Sequence, residues 1–181
     1  ELIDRQGAFG VKPMAAGPMS TLSMPEGFLV GHPASSTISY WSLDTDTETL
    51  VYGCALEVPS GVHFMAAHPT SQEIYITSRS SATMAVVRLE AAGWQGDRTT
   101  RSCRLVPVRY FTGHGRSSHG LGFSSDGSHL FVSNILDGTV TAYTINMDTF
   151  GVQSEQWRRT TWVGSGAGLL TVHDAAQAVY V

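Results

Sequence analysis

The strongest constraint on this chain is that it contains the same stretch more than once. Residues 119–146, HGLGFSSDGSHLFVSNILDGTVTAYTIN, align without a gap to residues 63–90, HFMAAHPTSQEIYITSRSSATMAVVRLE. An earlier copy, FLVGHPASSTISYWSLD (28–44), matches the second half of the unit, and GLLTVHDAAQAVYV (168–181) begins a fourth. Self-similarity at a period of about 50 residues is typical of a fold built from repeated supersecondary units.

Each copy consists of short strands separated by turns. In the best-defined copy, Leu121 and Phe123 alternate with glycines, which is the period of a half-buried strand. SSDG then supplies turn residues, with Gly127 free to take a positive φ, and the DG at 137–138 predicts a hairpin turn. The weaker stretches SEQWRRTTWVG and TLVYGCALEV would be fourth, outer strands. Four antiparallel strands per copy predict an all-β fold of β-propeller blades.

The repeats divide the chain into an N-terminal arm (1–27) and a partial propeller (28–181). The predicted blades cover 28–62, 63–112 and 113–164, and the start of another covers 165–181. The first copy has no clear inner strand and the last stops within its second. Because propellers have four to eight blades, this incomplete ring of about three to four blades is expected to be a fragment or to close with another chain. An open blade face is apolar and could serve self-association.

Composition limits the partners of the chain. The formal net charge of −4 gives no general attraction to nucleic acid or to an anionic membrane. No apolar run approaches the ~18 residues of a membrane span. The N-terminus lacks both an initiator Met and the pattern of a signal peptide. We therefore expect no nucleic-acid or membrane partner, and the compartment stays open between cytoplasm and secretion with a removed leader.

The two cysteines, Cys54 and Cys103, lack CxxC spacing, so a zinc site is not expected. Both fall on outermost strands of different blades, which splay apart toward the rim, whereas a disulfide needs Cα atoms within about 7 Å. The sequence therefore predicts no disulfide between them. His63 and His68, like His114 and His119, are five residues apart, which points them to opposite faces of a strand. No metal site is predicted.

The segment 119–146 resembles the blade signature of the seven-bladed lactonase family, which includes propeller-type 6-phosphogluconolactonases and carboxy-cis,cis-muconate cyclases. GFLVGHPASSTISYWSLDTDTETL (27–50) is similar to the first blade of that family, and the resemblance extends over residues 28–181. It implies a ring in which the C-terminus supplies the inner strand of the first blade. It also implies chemistry without a metal, nucleotide or other cofactor.

Inner strands begin at the channel of a propeller, so His63 and His119 are predicted to approach its mouth. The resemblance implies that His119, in SSHGLGF, is the catalytic histidine, a general acid or base near its unperturbed pKa of ~6.5. His63 is predicted to bind substrate beside it. The resemblance implies an arginine for a substrate carboxylate at GSGAGLL (164–170), but this stretch has none. Either another group binds the carboxylate, with Arg116 as the candidate, or carboxylate recognition is absent. Alternatively, His119 shares strand parity with Leu121 and simply packs at a blade edge.

Three functional hypotheses follow. The first is a lactonase or lactone-forming cycloisomerase acting on a small carboxylated or sugar lactone or organic acid, with an active site expected to be incomplete in this chain. The second is a non-catalytic propeller that binds a small ligand or a protein partner. The third is an incomplete gene product without activity of its own. Propellers host many activities, so the fold does not choose among them.

Overall fold

The computed structural model describes residues 21–24, 27–44, 46–58, 61–94, 101–112, 115–147 and 153–181. These residues form three four-stranded antiparallel sheets and one two-stranded sheet. In each four-stranded sheet the strands are hydrogen-bonded in chain order. The prediction of an all-β chain built from propeller blades is thereby confirmed.

The strands are numbered along the chain. The first blade consists of β1 (Thr21–Met24), β2 (Gly27–His32), β3 (Thr37–Asp44) and β4 (Thr49–Glu57). The second consists of β5 (Val62–Ala67), β6 (Glu73–Ser78), β7 (Thr83–Trp94) and β8 (Arg101–Thr112). The third consists of β9 (Ser118–Phe123), β10 (His129–Asn134), β11 (Thr139–Met147) and β12 (Gln153–Trp162). The fourth copy contributes β13 (Thr171–His173), a 3₁₀ turn (Asp174–Ala176) and β14 (Ala178–Tyr180).

The strand bounds reproduce the sequence repeat. β5, β6 and β7 begin at residues 62, 73 and 83, and β9, β10 and β11 begin at 118, 129 and 139. The two predicted turn glycines, Gly127 and Gly138, have φ values of 75° and 63°. Positive φ is readily accessible to glycine because it has no Cβ.

The inner edge of the first blade corrects the sequence prediction. β1 lies inside the predicted arm and pairs with β2, with Thr21 opposite Val30 and Met24 opposite Gly27. The expectation that the first copy lacks an inner strand is therefore wrong for this structure. Only residues 25 and 26 separate β1 from β2, whereas residues 68–72 separate β5 from β6. The shorter connection moves the strand out of the position that the repeat predicts.

Blade-to-blade packing forms two apolar cores on either side of the second blade. All six residues of β6 are buried. Ile74 and Ile76 belong to the first core, between blades one and two, whereas Tyr75 belongs to the second core, between blades two and three. The alternation follows the period of two that puts successive strand side chains on opposite faces. The second blade is thus covered on both faces.

A β-bulge occurs at the equivalent position of each outer hairpin. The register shifts between Tyr40 and Trp41, between Val86 and Val87, and between Ala142 and Tyr143. The residues left unpaired on the fourth strands are Gly53, Val108 and Arg158. A bulge bends its strand and increases the local twist. The same bend is therefore present in all three blades.

The fourth copy packs closely on the third blade because the glycines of β9 face it. A Cβ on Gly122 would lie 2.9 Å from Leu170 Cδ1 and 3.2 Å from Val172 Cγ2. The backbone N–H of Ser125 donates to Asp174 Oδ2 at 2.8 Å. Large apolar side chains stay exposed at the end of β12 (Trp162) and in the fourth copy (Leu169, Tyr180 and Val181). Self-association through such a face remains a prediction.

Cys54 and Cys103 form a disulfide, with their Cα atoms 5.7 Å apart. The prediction that they stay separate is wrong. Both cysteines pack against the first core, so apolar contacts draw β4 and β8 together at the rim. A Cβ on Gly53 would lie 2.8 Å from Cys103 Sγ, so the missing side chain permits this approach.

In the part of the chain described above, no helix is long and apolar enough to cross a membrane.

Candidate functional site

His63 and His119 lie in contact where the inner strands of the second and third blades begin. Their ring centroids are 3.8 Å apart and the rings are tilted by 43°. His119 shares its face of β9 with Leu121 and Phe123, which pack in the second core, so it points toward the second blade. A register irregularity between Val62 and Met65 in β5 accompanies the position of His63. The structure therefore brings together the two histidines that the sequence singled out.

The backbone around the pair is held by hydroxyl groups of the second strands. Thr77 Oγ1 donates to the carbonyl oxygen of His119 at 2.9 Å and accepts from the N–H of Phe64 at 3.1 Å. Ser133 Oγ accepts from the N–H of Gly120 at 2.9 Å. Thr77 and Ser133 are both buried. Fixed backbone positions on both sides keep the two imidazoles in contact.

Burial makes both imidazoles poor cations. It lowers the pKa of His63, which is lowered further by the charges of His119 and Arg79. It also lowers the pKa of His119, with a further contribution from Arg79. The Nδ1 atoms of both rings are buried and accept or donate no hydrogen bond among the residues that the structure describes. At neutral pH the pair is therefore uncharged, and each ring offers one acceptor and one N–H donor.

Arg79 is the third group at this edge, and the sequence reasoning did not identify it. It directly follows β6, and its N–H donates to the carbonyl oxygen of Gly61 at 2.8 Å, just before β5 begins. In the repeat, Arg79 aligns with Pro33 and Ile135. A charged residue found in one copy alone is not required by the blade. That difference between copies is the signal that could have identified it.

Arg116 is hydrogen-bonded to Asp137. Its Nε donates to Asp137 Oδ1 at 2.8 Å, and its backbone N–H donates to Asp137 Oδ2 at 2.6 Å. These hydrogen bonds lower the pKa of Asp137. The Arg116 side chain is 76% exposed. Its observed role is to tie the segment before β9 to the β10–β11 turn, and no contact joins it to the histidines in the described structure.

Of the two other histidines at five-residue spacing, the structure describes only His68. His68 is buried, donates from Nε2 to the carbonyl oxygen of Gly127 at 3.0 Å and accepts at Nδ1 from Thr70 N–H at 3.3 Å. It joins the second blade to a turn of the third. His114 lies outside the described residues. Among those that are described, no three His, Cys, Asp or Glu side chains are grouped so that they could hold a metal ion.

Known proteins resemble this chain in fold. No protein-family model matches the sequence. No curated protein matches it either. A solved structure from Bacteroides uniformis, provisionally assigned as a 6-phosphogluconolactonase, superposes with a TM-score of 0.71 at 14% identity, covering 91% of this chain and 50% of that one. A protein from Bacteroides fragilis with the same provisional assignment gives 0.68 at 14% identity, covering 94% and 49%.

The β-propeller domain of Swd1 from Myceliophteria thermophila gives a TM-score of 0.55 at 12% identity, covering 84% of this chain and 46% of that one. These likenesses show a β-propeller fold. The chain spans about half the length of the solved structures that it matches.

Proposed function

We propose that this chain contributes to a propeller lactonase that acts on a small carboxylated or sugar lactone, with His119 and His63 transferring the proton. The observation that supports it is the contact pair of imidazoles at the start of adjacent inner strands, with both buried Nδ1 atoms unpartnered among the described residues. Buried polar groups normally have a partner. A bound lactone and its attacking water offer the complementary donors and acceptors.

The lowered pKa values of the pair suit it to base catalysis at neutral pH. In hydrolysis, a water oxygen forms a bond to the lactone carbonyl carbon while a neutral imidazole accepts the water proton. The acyl–oxygen bond of the ring then breaks, and the imidazolium returns the proton to the departing ring oxygen. The reaction consumes one water and leaves the histidine neutral. A lactone-forming cycloisomerase would use the same histidine to move a proton at carbon.

The alternative is a propeller that binds a ligand without turnover. Two observations favour it: GSGAGLL lacks an arginine, and Arg116 is held by Asp137. This alternative predicts ligand binding at the histidine pair with no acceleration of lactone opening.

The test measures acid release at pH 7.5 from glucono-δ-lactone, 6-phosphoglucono-δ-lactone and a carboxylated butenolide, after subtraction of spontaneous hydrolysis. We expect His119→Gln to lower kcat/KM by about 100-fold, the usual effect of removing a general acid or base, and His63→Gln to lower it less. His129→Gln, at an exposed histidine on β10, is the matched control and should retain full activity. Wild-type chain that accelerates none of the three lactones, or His119→Gln with full activity, contradicts the proposal.

A further inference from the structure

Arg79 carries its positive charge at the histidine pair without a carboxylate to neutralise it. Three other arginines of the described structure form ion pairs: Arg88 with Glu73, Arg109 with Glu73 and Glu155, and Arg116 with Asp137. Among the residues given coordinates above, Arg79 forms no such ion pair, and it is exposed. Its guanidinium is therefore available to a ligand.

The geometry of β6 places Arg79 on the side of the histidines. Tyr75 packs in the second core and Thr77 donates to the carbonyl oxygen of His119, so this face of β6 looks toward the third blade. Side chains two residues apart on a strand share a face. The N–H of Arg79 donates to the carbonyl oxygen of Gly61, two residues before His63, so the hydrogen-bond ladder between β5 and β6 continues to Arg79. The Arg79 side chain is therefore on the same face as Tyr75 and Thr77.

Electrostatics supports the same placement. The charge of Arg79 contributes to the lowered pKa of both His63 and His119, in agreement with this placement. Since burial keeps the two histidines neutral, Arg79 is the cationic group of this trio at neutral pH. The chain as a whole carries a formal charge of −4 and would not otherwise attract an anion.

We infer that Arg79 binds an oxyanion group of the substrate, a carboxylate or a phosphate, and so selects anionic over neutral lactones. The inference rests on the proposed function and names the residue that sets its specificity. A guanidinium presents two parallel N–H donors that match the two oxygens of either group. Arg79 thus takes the role that was predicted from the sequence for Arg116.

The decisive experiment compares kcat/KM for the phosphorylated, carboxylated and neutral lactones in the wild type, Arg79→Gln and Arg79→Lys. We expect Arg79→Gln to lower kcat/KM for both anionic lactones by about 30-fold, the effect of losing a charge-assisted hydrogen-bonded pair. The neutral lactone should change less than about twofold. Arg79→Lys, which keeps the charge but loses the fork, should be intermediate. Arg104→Gln, at an exposed arginine on β8, is the matched control and should leave all three values unchanged.

A binding measurement separates this inference from the proposed lactonase activity. The probe is 6-phosphogluconate, the open-chain product, titrated calorimetrically against wild type, Arg79→Gln and Arg116→Gln. Binding that Arg79→Gln abolishes and Arg116→Gln retains supports the inference even if no lactone is turned over. Lactone turnover with unchanged preference in Arg79→Gln overturns it while the lactonase activity stands. Equal losses for neutral and anionic lactones also overturn it.

Discussion

The first and second blades, and the second and third, meet through similar apolar cores but are joined at the rim by different chemistry. At the first interface a disulfide links β4 to β8. At the second, Arg109 on β8 lies between Glu73 on β6 and Glu155 on β12. The stability given by the disulfide depends on the redox state. The stability given by the Arg109, Glu73 and Glu155 cluster depends on all three side chains being present. The same location in the fold is therefore stabilised in two ways that respond to different conditions.

The charged cluster of Arg109, Glu73, Glu155 and Tyr75 is almost fully hydrogen-bonded. Arg109 donates to both oxygens of Glu73 at 2.9 and 2.8 Å, and its Nε donates to both oxygens of Glu155 at 2.9 and 3.1 Å. The Tyr75 hydroxyl donates to Glu155 at 2.7 Å. Burial, followed by the charge of Glu155, raises the pKa of Tyr75, so this hydroxyl keeps its proton. The Glu73 and Glu155 side chains are only 5% and 3% exposed.

Removing the disulfide should have the largest effect on stability. Cys54 and Cys103 are 49 residues apart, and cross-linking a loop of this length stabilises a protein by about 4 kcal/mol in the chain-entropy model. We expect the double variant Cys54→Ala/Cys103→Ala to lose about that much free energy of unfolding in urea titrations. The reduced wild type should have the same free energy of unfolding as the double variant. A double variant as stable as the oxidised wild type would show that the disulfide does not stabilise the fold.

Removing the central cation of the second interface should cost somewhat less. Arg109→Met leaves Glu155 buried without a counter-charge and Glu73 with only its longer ion pair to Arg88 at 3.7 Å. We expect this to lower the free energy of unfolding by about 3 kcal/mol. The triple variant Arg109→Met/Glu73→Gln/Glu155→Gln removes the unpaired charges and should recover most of the loss. If the triple variant is less stable than Arg109→Met, the loss comes from packing and not from unpaired charge.

Acid should weaken the second interface by a smaller amount. His63 and His119 have folded pKa values below the unfolded value of 6.5, because their partial burial disfavours the charged imidazolium. Above pH 6.5 both states are neutral and stability does not change. As the pH falls below 6.5, the unfolded chain binds protons first, so stability falls until the folded pKa values are passed. The limit is about 1.4 kcal/mol per pH unit for each histidine.

The measurement is the free energy of unfolding between pH 7.5 and 5.5. We expect His63→Gln/His119→Gln to flatten this dependence more than His32→Gln, which removes one buried histidine of lowered pKa from the first blade. Equal slopes in the wild type and the double variant would mean that the pair does not contribute to acid sensitivity.

The sequence predicted the parts of the fold that repeat, because periodic alternation and turn glycines are local signals. It therefore predicted the turns at Gly127 and Gly138 and the outer strands of the first and third blades. It missed β1, whose four residues precede a connection shorter than that of the other copies. Pairing of so short a strand depends on the neighbouring sheet rather than on its own pattern.

Contacts between blades were harder to predict from sequence. The general splay of outer strands argued against the disulfide, whereas a single glycine, Gly53, permits the local approach. Arg109 and Glu155 are 46 residues apart, and nothing local links them. For the candidate site, the starts of two inner strands identified His63 and His119. Arg79 was missed because its proximity to them depends on the face of β6 that meets the third blade.

The bulge at Gly53, Val108 and Arg158 recurs in all three blades although the bulged residues differ. Three side chains as different as hydrogen, isopropyl and guanidinium occupy one backbone irregularity. If the copies arose by duplication, the backbone conformation would be retained while the amino-acid identities diverge. The Bacteroides proteins likewise share the fold of this chain at only 14% identity. A search that scores backbone pairing irregularities should find proteins of this fold that residue-by-residue comparison overlooks.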